Sequence, residues 1–491
     1  MTWKRMNAPA ALALGFALLA GCSNGDGNGN ADDPAAGGQA DGKGGGAGNA
    51  KVVLSFTTSK SKIEEDNKVY EDLVKAYNAD PNAKAEVKLT LANWGDDGTA
   101  QRTWVTTQLI GDNAPDLFQS KYLWSQEDFG KGLVTELTGD LAQPNPYAGG
   151  ADWRSSLSDT VMANMFVPGT DKVAGVPTYS GTIRMFYNKD LFDQAGVTAL
   201  PETWNQFLDA QERLRQAGVA PMAIGFAKQG GDRPDWMLRY LSDQTVEQLV
   251  PGMDLDGNKL IGSNEIVAAI DGGTLDFGKE PWKDVFPILK DWTKYWPKGF
   301  NGITLDDANE MFLRGDAAMT LAPPDFVKQL EGMNYGVMRV PYLTKENHPM
   351  AEGKYYEVAS GNPDGVYVMP KSISAEKKAG AIDFLMYLTS PTVQKQIAER
   401  LYRAPVLKDA EFPDNIKPFL AVNEPFKMNL FGPAFSKNLY DTFGKDGQLY
   451  LDGSMSLDDF IAKMNAVAKQ EADALKQSQG WNEANGYGTK K

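Results

Sequence analysis

The sequence predicts an α/β protein with a layer of parallel strands. Three observations carry this reading. Short apolar runs alternate with amphipathic stretches over residues 52–118, in the order strand, helix, strand, helix, strand. The first helical stretch keeps its apolar residues at i, i+3, i+4 and i+7. The chain has 491 residues, 42% of them apolar, enough for a large core and two or three folded units.

Val52-Val53-Leu54-Ser55-Phe56 is an apolar run suited to a buried strand. Tyr70, Leu73, Val74 and Tyr77 then share one helical face, and Asn78 and Pro81 stop that helix. Val87, Leu89 and Leu91 alternate with Lys88 and Thr90, which is the period of a second strand. Thr99 to Ile110 reads as a helix closed by Gly111, and Pro115-Asp116-Leu117-Phe118 as a third strand. Thr203 with Gln206 forms a capping box, so a helix starts at Trp204; Phe207, Ala210 and Leu214 line its inner face and Gly218 ends it. Ala379, Ile382, Leu385 and Met386 mark another amphipathic helix. Ser390-Pro391 opens the next, with Val393, Ile397 and Leu401 inward. The last runs from about Ser456 to Lys476, with Phe460, Met464 and Val467 inward. There is no internal repeat.

The first 50 residues read differently. Lys4 and Arg5 precede an uncharged, mostly apolar stretch from Ala8 to Gly21, too short to span a bilayer as a helix. It ends in Leu19-Ala20-Gly21-Cys22, which resembles a bacterial lipobox. That resemblance implies a signal peptide over 1–21 and a Cys22 thiol carrying a diacylglycerol. The protein would then sit lipid-anchored on the extracytoplasmic face of the cell membrane. Residues 22–50 are rich in Gly, Asn, Asp and Ala, which cannot bury enough apolar surface to fold. As a flexible tether their typical reach is on the order of 30 Å.

Composition excludes several classes. Lys and Arg total 49 against 64 Asp and Glu, a net charge of -15, so a nucleic-acid partner is not expected. Mean hydropathy is -0.40, and no apolar run reaches about 18 residues, which argues against a multi-span membrane protein. One histidine, His348, and one cysteine, Cys22, allow no Cys/His zinc site and no intramolecular disulfide. No cofactor and no metal are expected, and the protein is expected to be a monomer.

Several residues able to carry chemistry also have plainer roles. Asp306-Asp307 with Glu310, and Asp458-Asp459, look like acid pairs, but solvated helix starts explain both. His348 lies in a polar loop and is expected at the surface. Asp254, Asp256, Asn258 and Glu265 stand at positions 1, 3, 5 and 12 of a calcium-type loop, but Lys259 replaces the glycine needed at position 6. A β-turn at Asp256-Gly257-Asn258 is the alternative. Among the 11 tryptophans, Trp94 and Trp124 follow strand ends, where open α/β sheets bind ligands, and are candidates for stacking on sugar faces. Trp236 is a further candidate; Trp204 is assigned to packing.

The run Gly175-Val-Pro177-Thr-Tyr179-Ser-Gly-Thr-Ile-Arg-Met-Phe-Tyr187-Asn188-Lys189-Asp190 through Gly196, then Pro201-Glu-Thr-Trp204, resembles the signature of family 1 extracellular solute-binding proteins. These are the maltodextrin-binding-like receptors of ABC importers. Ala114-Pro-Asp116-Leu-Phe118, Phe129-Gly-Lys-Gly132-Leu133, Met311-Phe312-Leu-Arg-Gly315 to Thr320, Tyr335 to Pro341, and Asp364-Gly365 to Val368 resemble further blocks of the family, in order from about 51 to 470.

The resemblance implies two α/β lobes, the periplasmic-binding-protein-like (class II) arrangement, with three hinge crossings and a central ligand cleft. The N-terminal lobe would take 51–178 and 366–425, the C-terminal lobe 182–358 and 430–491. Crossings are expected near 176–183, 359–366 and 425–432. Carried over by position, the cleft residues are Ser59 and Lys60, Gln119, Ser120 and Tyr122, Tyr179, Asp325, and Asn362 beside Gly361. One departure stands out: Pro323-Pro324-Asp325 occupies the place where many sugar-binding members have Gly-Pro-Trp, so a carboxylate replaces a stacking ring. The implied function is capture of a sugar or oligosaccharide and delivery to ABC permease subunits, without covalent chemistry. A non-sugar polar solute, a sensor system and a lipid-anchored polysaccharide-acting enzyme are the alternatives. The single histidine argues against the last.

Overall fold

The structure is a computed structural model that describes residues 51–94, 98–167, 170–227, 233–257, 260–356, 362–408, 410, 414, 417–419, 427–428 and 436–489. The expected signal 1–21, Cys22 and the tether 22–50 lie outside the described residues. No described helix is long and apolar enough to cross a membrane.

Eleven strands are named in chain order among the described residues: β1 (Val52–Ser59), β2 (Ala85–Ala92), β3 (Leu117–Ser120), β4 (Val176–Gly181), β5 (Arg184–Asn188), β6 (Ala220–Ala223), β7 (Leu260–Ile261), β8 (Ala317–Ala322), β9 (Tyr335–Met338), β10 (Asn362–Val368) and β11 (Lys427–Met428). They form two main sheets, ordered β2-β1-β3-β10-β4 and β6-β8-β5-β9, with β7 and β11 as a separate short pair. The expected parallel layer is present: β1 runs parallel to β2 from Val52↔Ala85 to Ser59↔Ala92, and parallel to β3. β10 then enters antiparallel between β3 and β4.

Local chemistry explains most boundaries. The helix Glu64–Ala79 opens with Glu64, Glu65 and Asp66, which suit the positive end of its dipole. It buries Val69, Leu73, Val74 and Tyr77 against the first sheet. Thr203 and Gln206 close the expected capping box on helix Trp204–Gln216. The Ser390 side chain caps helix Pro391–Gln396, and that of Ser456 caps Leu457–Gln479. Each main sheet has its own core. Phe56, Phe118, Tyr367 and Phe384 belong to the first; Met185, Phe207, Trp292 and Met319 belong to the second.

The chain passes from the first sheet to the second between β4 and β5, and returns between β9 and β10. At the first passage Arg184 is buried, with 2% of its surface exposed. Its guanidinium donates to the carbonyls of Ile183, Pro418 and Phe419 and to the Thr182 hydroxyl, at 2.9–3.2 Å. Phe419 packs with Phe186 of β5, rings 5.8 Å apart. Leu407 still belongs to the first core. Ala410 also packs against the first core, and Phe419 stands with the second sheet; most of the expected third crossing at 425–432 lies outside the described residues. The stretch after 407 has no apolar period to betray its side, and Arg184 decides the matter by capturing its carbonyls.

Candidate functional site

The first lobe brings the ends of β1 and β3 together through one amide. Gln119 Oε1 accepts from the Ser59 N–H at 2.8 Å and the Thr58 hydroxyl at 2.9 Å. Thr58 Oγ1, having given its proton to Gln119, accepts from the Tyr367 hydroxyl at 2.8 Å. Ser59 and Gln119 are thus joined to each other and partly spent on that contact. Lys60 donates its N–H to Ala92 O at 2.8 Å and leaves its side chain exposed. Ser120 is buried, and Tyr122 is half-buried against the first core.

The second group forms where the lobes meet. Tyr179 on β4 is 8% exposed, and the Arg403 guanidinium lies 5.4 Å from its ring centre. Arg403 Nη2 donates to Asp325 Oδ2 at 2.6 Å. Arg403 follows Leu401 of the first core, whereas Asp325 precedes Phe326, which packs beside Phe186 of the second sheet. The pair therefore spans the two lobes. Lys328, one turn beyond Asp325, makes a short ion pair with Asp66 of helix Glu64–Ala79, each side chain only 13% exposed. Its ammonium lies 5.6 Å from the ring centre of Tyr402. Tyr70, one turn after Asp66, turns toward this junction instead of sinking fully into the core, and its hydroxyl interacts with that of Tyr367. Gly365 is required here. Its φ is +54°, and a Cβ would stand 2.3 Å from the Tyr179 ring.

Burial raises the pKa of Tyr70, Tyr179 and Tyr367, so all three carry protons at neutral pH. For Arg403, burial opposes the charge, but Asp325, Tyr179 and Asp364 outweigh it and the pKa is raised. The junction thus presents neutral hydroxyls, aromatic faces and paired charges. It suits a ligand held by hydrogen bonds and ring contacts. Asn362 is half-buried, opposite Gly181 in the register of β10 and β4, at the passage between the lobes. Gly361 lies outside the described residues.

The tryptophans are partnered in ways the strand-end pattern did not reveal. Trp94, expected as an open platform, is 6% exposed, its ring tilted against Trp104 at 5.2 Å. The helix Thr99–Ile110 brings Trp104 onto it and closes the face. Trp124 is half-buried, with Lys121 Nζ 4.9 Å and Arg102 5.5 Å from its ring. Trp236 is half-buried against the second core. Asp66, Tyr70, Lys328, Tyr367, Tyr402 and Arg403 were missed from the sequence. Only the spacing of Asp66 and Tyr70, one turn apart on one helix, offered a local signal.

The acid pairs are helix starts. Asp307 accepts from the Thr304 N–H at 2.9 Å, and the Asp459 N–H donates to Ser456 Oγ at 3.1 Å. His348 is 3% exposed, contrary to its expected surface position. Its Nε2 meets Asp284 Oδ2 at 3.0 Å, and Nδ1 accepts from the Met350 N–H at 3.3 Å, so the polar loop is pinned inward. Carboxylate oxygens of Asp254, Asp256 and Glu265 lie within 4.8 Å of one another. Glu265 spends its oxygens on the N–H groups of Leu255 and Gly262, at 2.5 and 2.8 Å, and so starts helix Ser263–Asp271. Residues 258–259 of this loop lie outside the described residues.

Comparison with known proteins agrees with this architecture. The family model described as "Bacterial extracellular solute-binding protein" matches residues 60–395, well over half of the chain. The maltodextrin-binding protein MdxE of Bacillus subtilis (strain 168) is 27% identical over 206 residues, 40% of this chain and 44% of that protein. The sn-glycerol-3-phosphate-binding periplasmic protein UgpB of Salmonella typhimurium is 30% identical over 171 residues, 34% of this chain and 35% of that protein. The matches thus span less than half the length of these relatives. A solved structure described as a chitin oligosaccharide binding protein superimposes with a TM-score of 0.60 at 18% identity, covering 86% of this chain and 99% of that one. Maltose-bound T. maritima MalE3 does so with a TM-score of 0.59 at 19% identity, covering 85% and 99%. At these identities the structures establish the two-lobed fold.

Proposed function

Because the chain belongs to the bacterial extracellular solute-binding protein family, we propose that it is the substrate-binding subunit of an ABC importer. It captures a sugar or oligosaccharide outside the membrane and hands it unaltered to the permease. The observation that carries this reading is the junction of Tyr179 and Arg403 with Asp325, where both lobes supply polar groups to one place. A ligand that touches both lobes stabilises their approach, which is a population shift and needs no bond chemistry. Micromolar affinity requires about -8 kcal/mol. Several hydrogen bonds at about 1 kcal/mol each, with aromatic contacts at about 0.5–1.5, supply that. The relative that binds maltodextrin supports a sugar; the glycerol-phosphate binder marks the alternative solute class. In this reading the protein is a monomer without cofactor. Cys22 carries the lipid, residues 22–50 are the leash, and the binding body stands at the extracytoplasmic face.

A thermal-shift screen against neutral oligosaccharides and small polar solutes tests the proposal. A sugar that binds only the folded state raises the melting temperature. The sugar recovered after incubation is expected chromatographically unchanged; its conversion, or a screen in which no sugar acts, removes the reading.

A further inference from the structure

We propose that six charged side chains form a keyed latch that fixes how the two lobes close: Lys62, Asp66 and Arg403 of the first lobe against Asp306, Lys328 and Asp325 of the second. The latch contributes to ligand affinity by favouring the closed state, without itself recognising the ligand. It rests on the capture reading, in which a ligand is gripped by lobe closure, and not on the ligand being a sugar.

The two sets stand on different cores. Lys62 precedes helix Glu64–Ala79 and Asp66 lies in its first turn, while Arg403 follows Leu401 of the same core. Asp306 lies in the first turn of helix Leu305–Leu313, whose Ala308 and Phe312 are buried with Phe186 of the second sheet. Asp325 and Lys328 share the turn Pro324–Gln329, which is anchored beside Phe186 by Phe326. Shared neighbours give the order of the pairs. Lys328 donates to Asp66, and its ammonium lies 5.6 Å from the ring centre of Tyr402, the residue before Arg403. The Lys328–Asp66 pair therefore stands between Arg403–Asp325 and Lys62–Asp306.

Across the junction the first lobe reads positive, negative, positive, and the second negative, positive, negative. Slipping the lobes by one pair sets Lys62 against Lys328 and Asp66 against Asp325. Slipping them the other way sets Asp66 against Asp306 and Arg403 against Lys328. Each displaced pairing is like-charged, so a single register is attractive. Exposure decides which pair holds. The side chains of Lys62 and Asp306 are 72% and 79% exposed and 3.8 Å apart, so water and salt leave that pair little strength. Lys328 and Asp66 are far drier, and their attraction is correspondingly stronger. Asp66 is also positioned for its partner: Oδ2 accepts from the Ser61 hydroxyl at 3.0 Å, while Oδ1 accepts from Lys328. Setting a register is the role that partly buried ion pairs perform best.

The test uses the full chain. Small-angle X-ray scattering without ligand, at about 0.02 M salt, reads the spacing of the lobes, and residues 1–50 are common to every sample. Lys328→Asp sets two carboxylates together and is expected to enlarge the radius of gyration. Adding Asp66→Lys makes the pair opposite again and is expected to bring the radius back toward wild type. Equal radii in wild type and Lys328→Asp, or a double variant as expanded as the single one, overturn the latch. Should circular dichroism show Lys328→Asp unfolded, Lys328→Met takes its place with the same expected expansion. The second arm is calorimetry with maltotriose and raffinose. Both are uncharged, so salt acts on their affinity through the protein. Whichever binds is expected to weaken at least threefold between about 0.02 and about 0.5 M salt. It is expected to weaken at least tenfold in Lys328→Asp at the lower salt. An affinity unchanged by salt and by Lys328→Asp overturns the latch and leaves sugar capture standing. Binding by neither sugar counts against sugar capture, and the scattering then decides the latch by itself.

Discussion

On the first lobe, the side chains at the cleft are held by their own neighbours. Tyr367 is tied to Thr58, Thr58 to Gln119, and Gln119 to the backbone of Ser59. Tyr179 lies against Gly365, so close that a Cβ there would stand 2.3 Å from its ring. On the second lobe, Asp325 and Lys328 stand on one short turn, and their ionic partners, Arg403 and Asp66, belong to the other lobe. The first surface is held within one lobe, whereas the second is held by ion pairs that span both.

Breaking the rigid side should have the largest effect. Gly365→Ala adds a Cβ 2.3 Å from the Tyr179 ring at a φ of +54°. We expect a loss of about 3 kcal/mol or more in urea unfolding; a loss below about 1 would show that Tyr179 is free to move. A control region far from the comparison is Glu265, whose pKa burial, reinforced by Asp256 and Asp254 and opposed by backbone N–H groups, raises from the ordinary 4.5 to about 7. The folded state therefore holds this proton more tightly than the unfolded state. The stability it contributes is full below pH 4.5 and is lost as pH rises through about 7, at most about 3 kcal/mol. Melting temperature against pH should fall across that window, and Glu265→Gln should flatten the slope.

The meeting side is sharpened by setting two ion pairs against each other. Lys328→Met leaves Asp66 without its cation, though still bonded to the Ser61 hydroxyl, in a partly buried junction and should cost about 2 kcal/mol. Arg400→Met removes the surface partners Glu65 and Asp72, both 58% exposed, and should cost under about 1. Equal costs by chemical denaturation would mean that the junction is no drier than the surface. The smallest expected effect is at the edge of the first face: Tyr122→Ala and Trp124→Ala should each weaken sugar binding by about 1 kcal/mol while the fold survives. Unchanged calorimetric affinity in both would move the pocket away from the helix Tyr122–Gly130.

Much of the frame was legible. The order of β1, β2 and β3 with their two helices follows from apolar spacing, and Thr203, Ser390 and Ser456 announce helix starts because a cap is a contact three residues long. The candidate site was legible in outline at Tyr179 and Asp325, through resemblance. It was not legible at Arg403, which stands 78 residues from Asp325, or at Lys328, 262 residues from Asp66. Trp94 and His348 failed for a related reason: Trp104 and Asp284 cover them from other elements, and no local pattern records that cover.

Sequence alone determined the α/β class, the family and the helix caps, because hydrophobic period and capping act between residues a few positions apart. Tertiary structure alone decided which charges face one another and which side Arg184 and Phe419 share. Those depend on two separately cored lobes bringing together side chains that no local period relates.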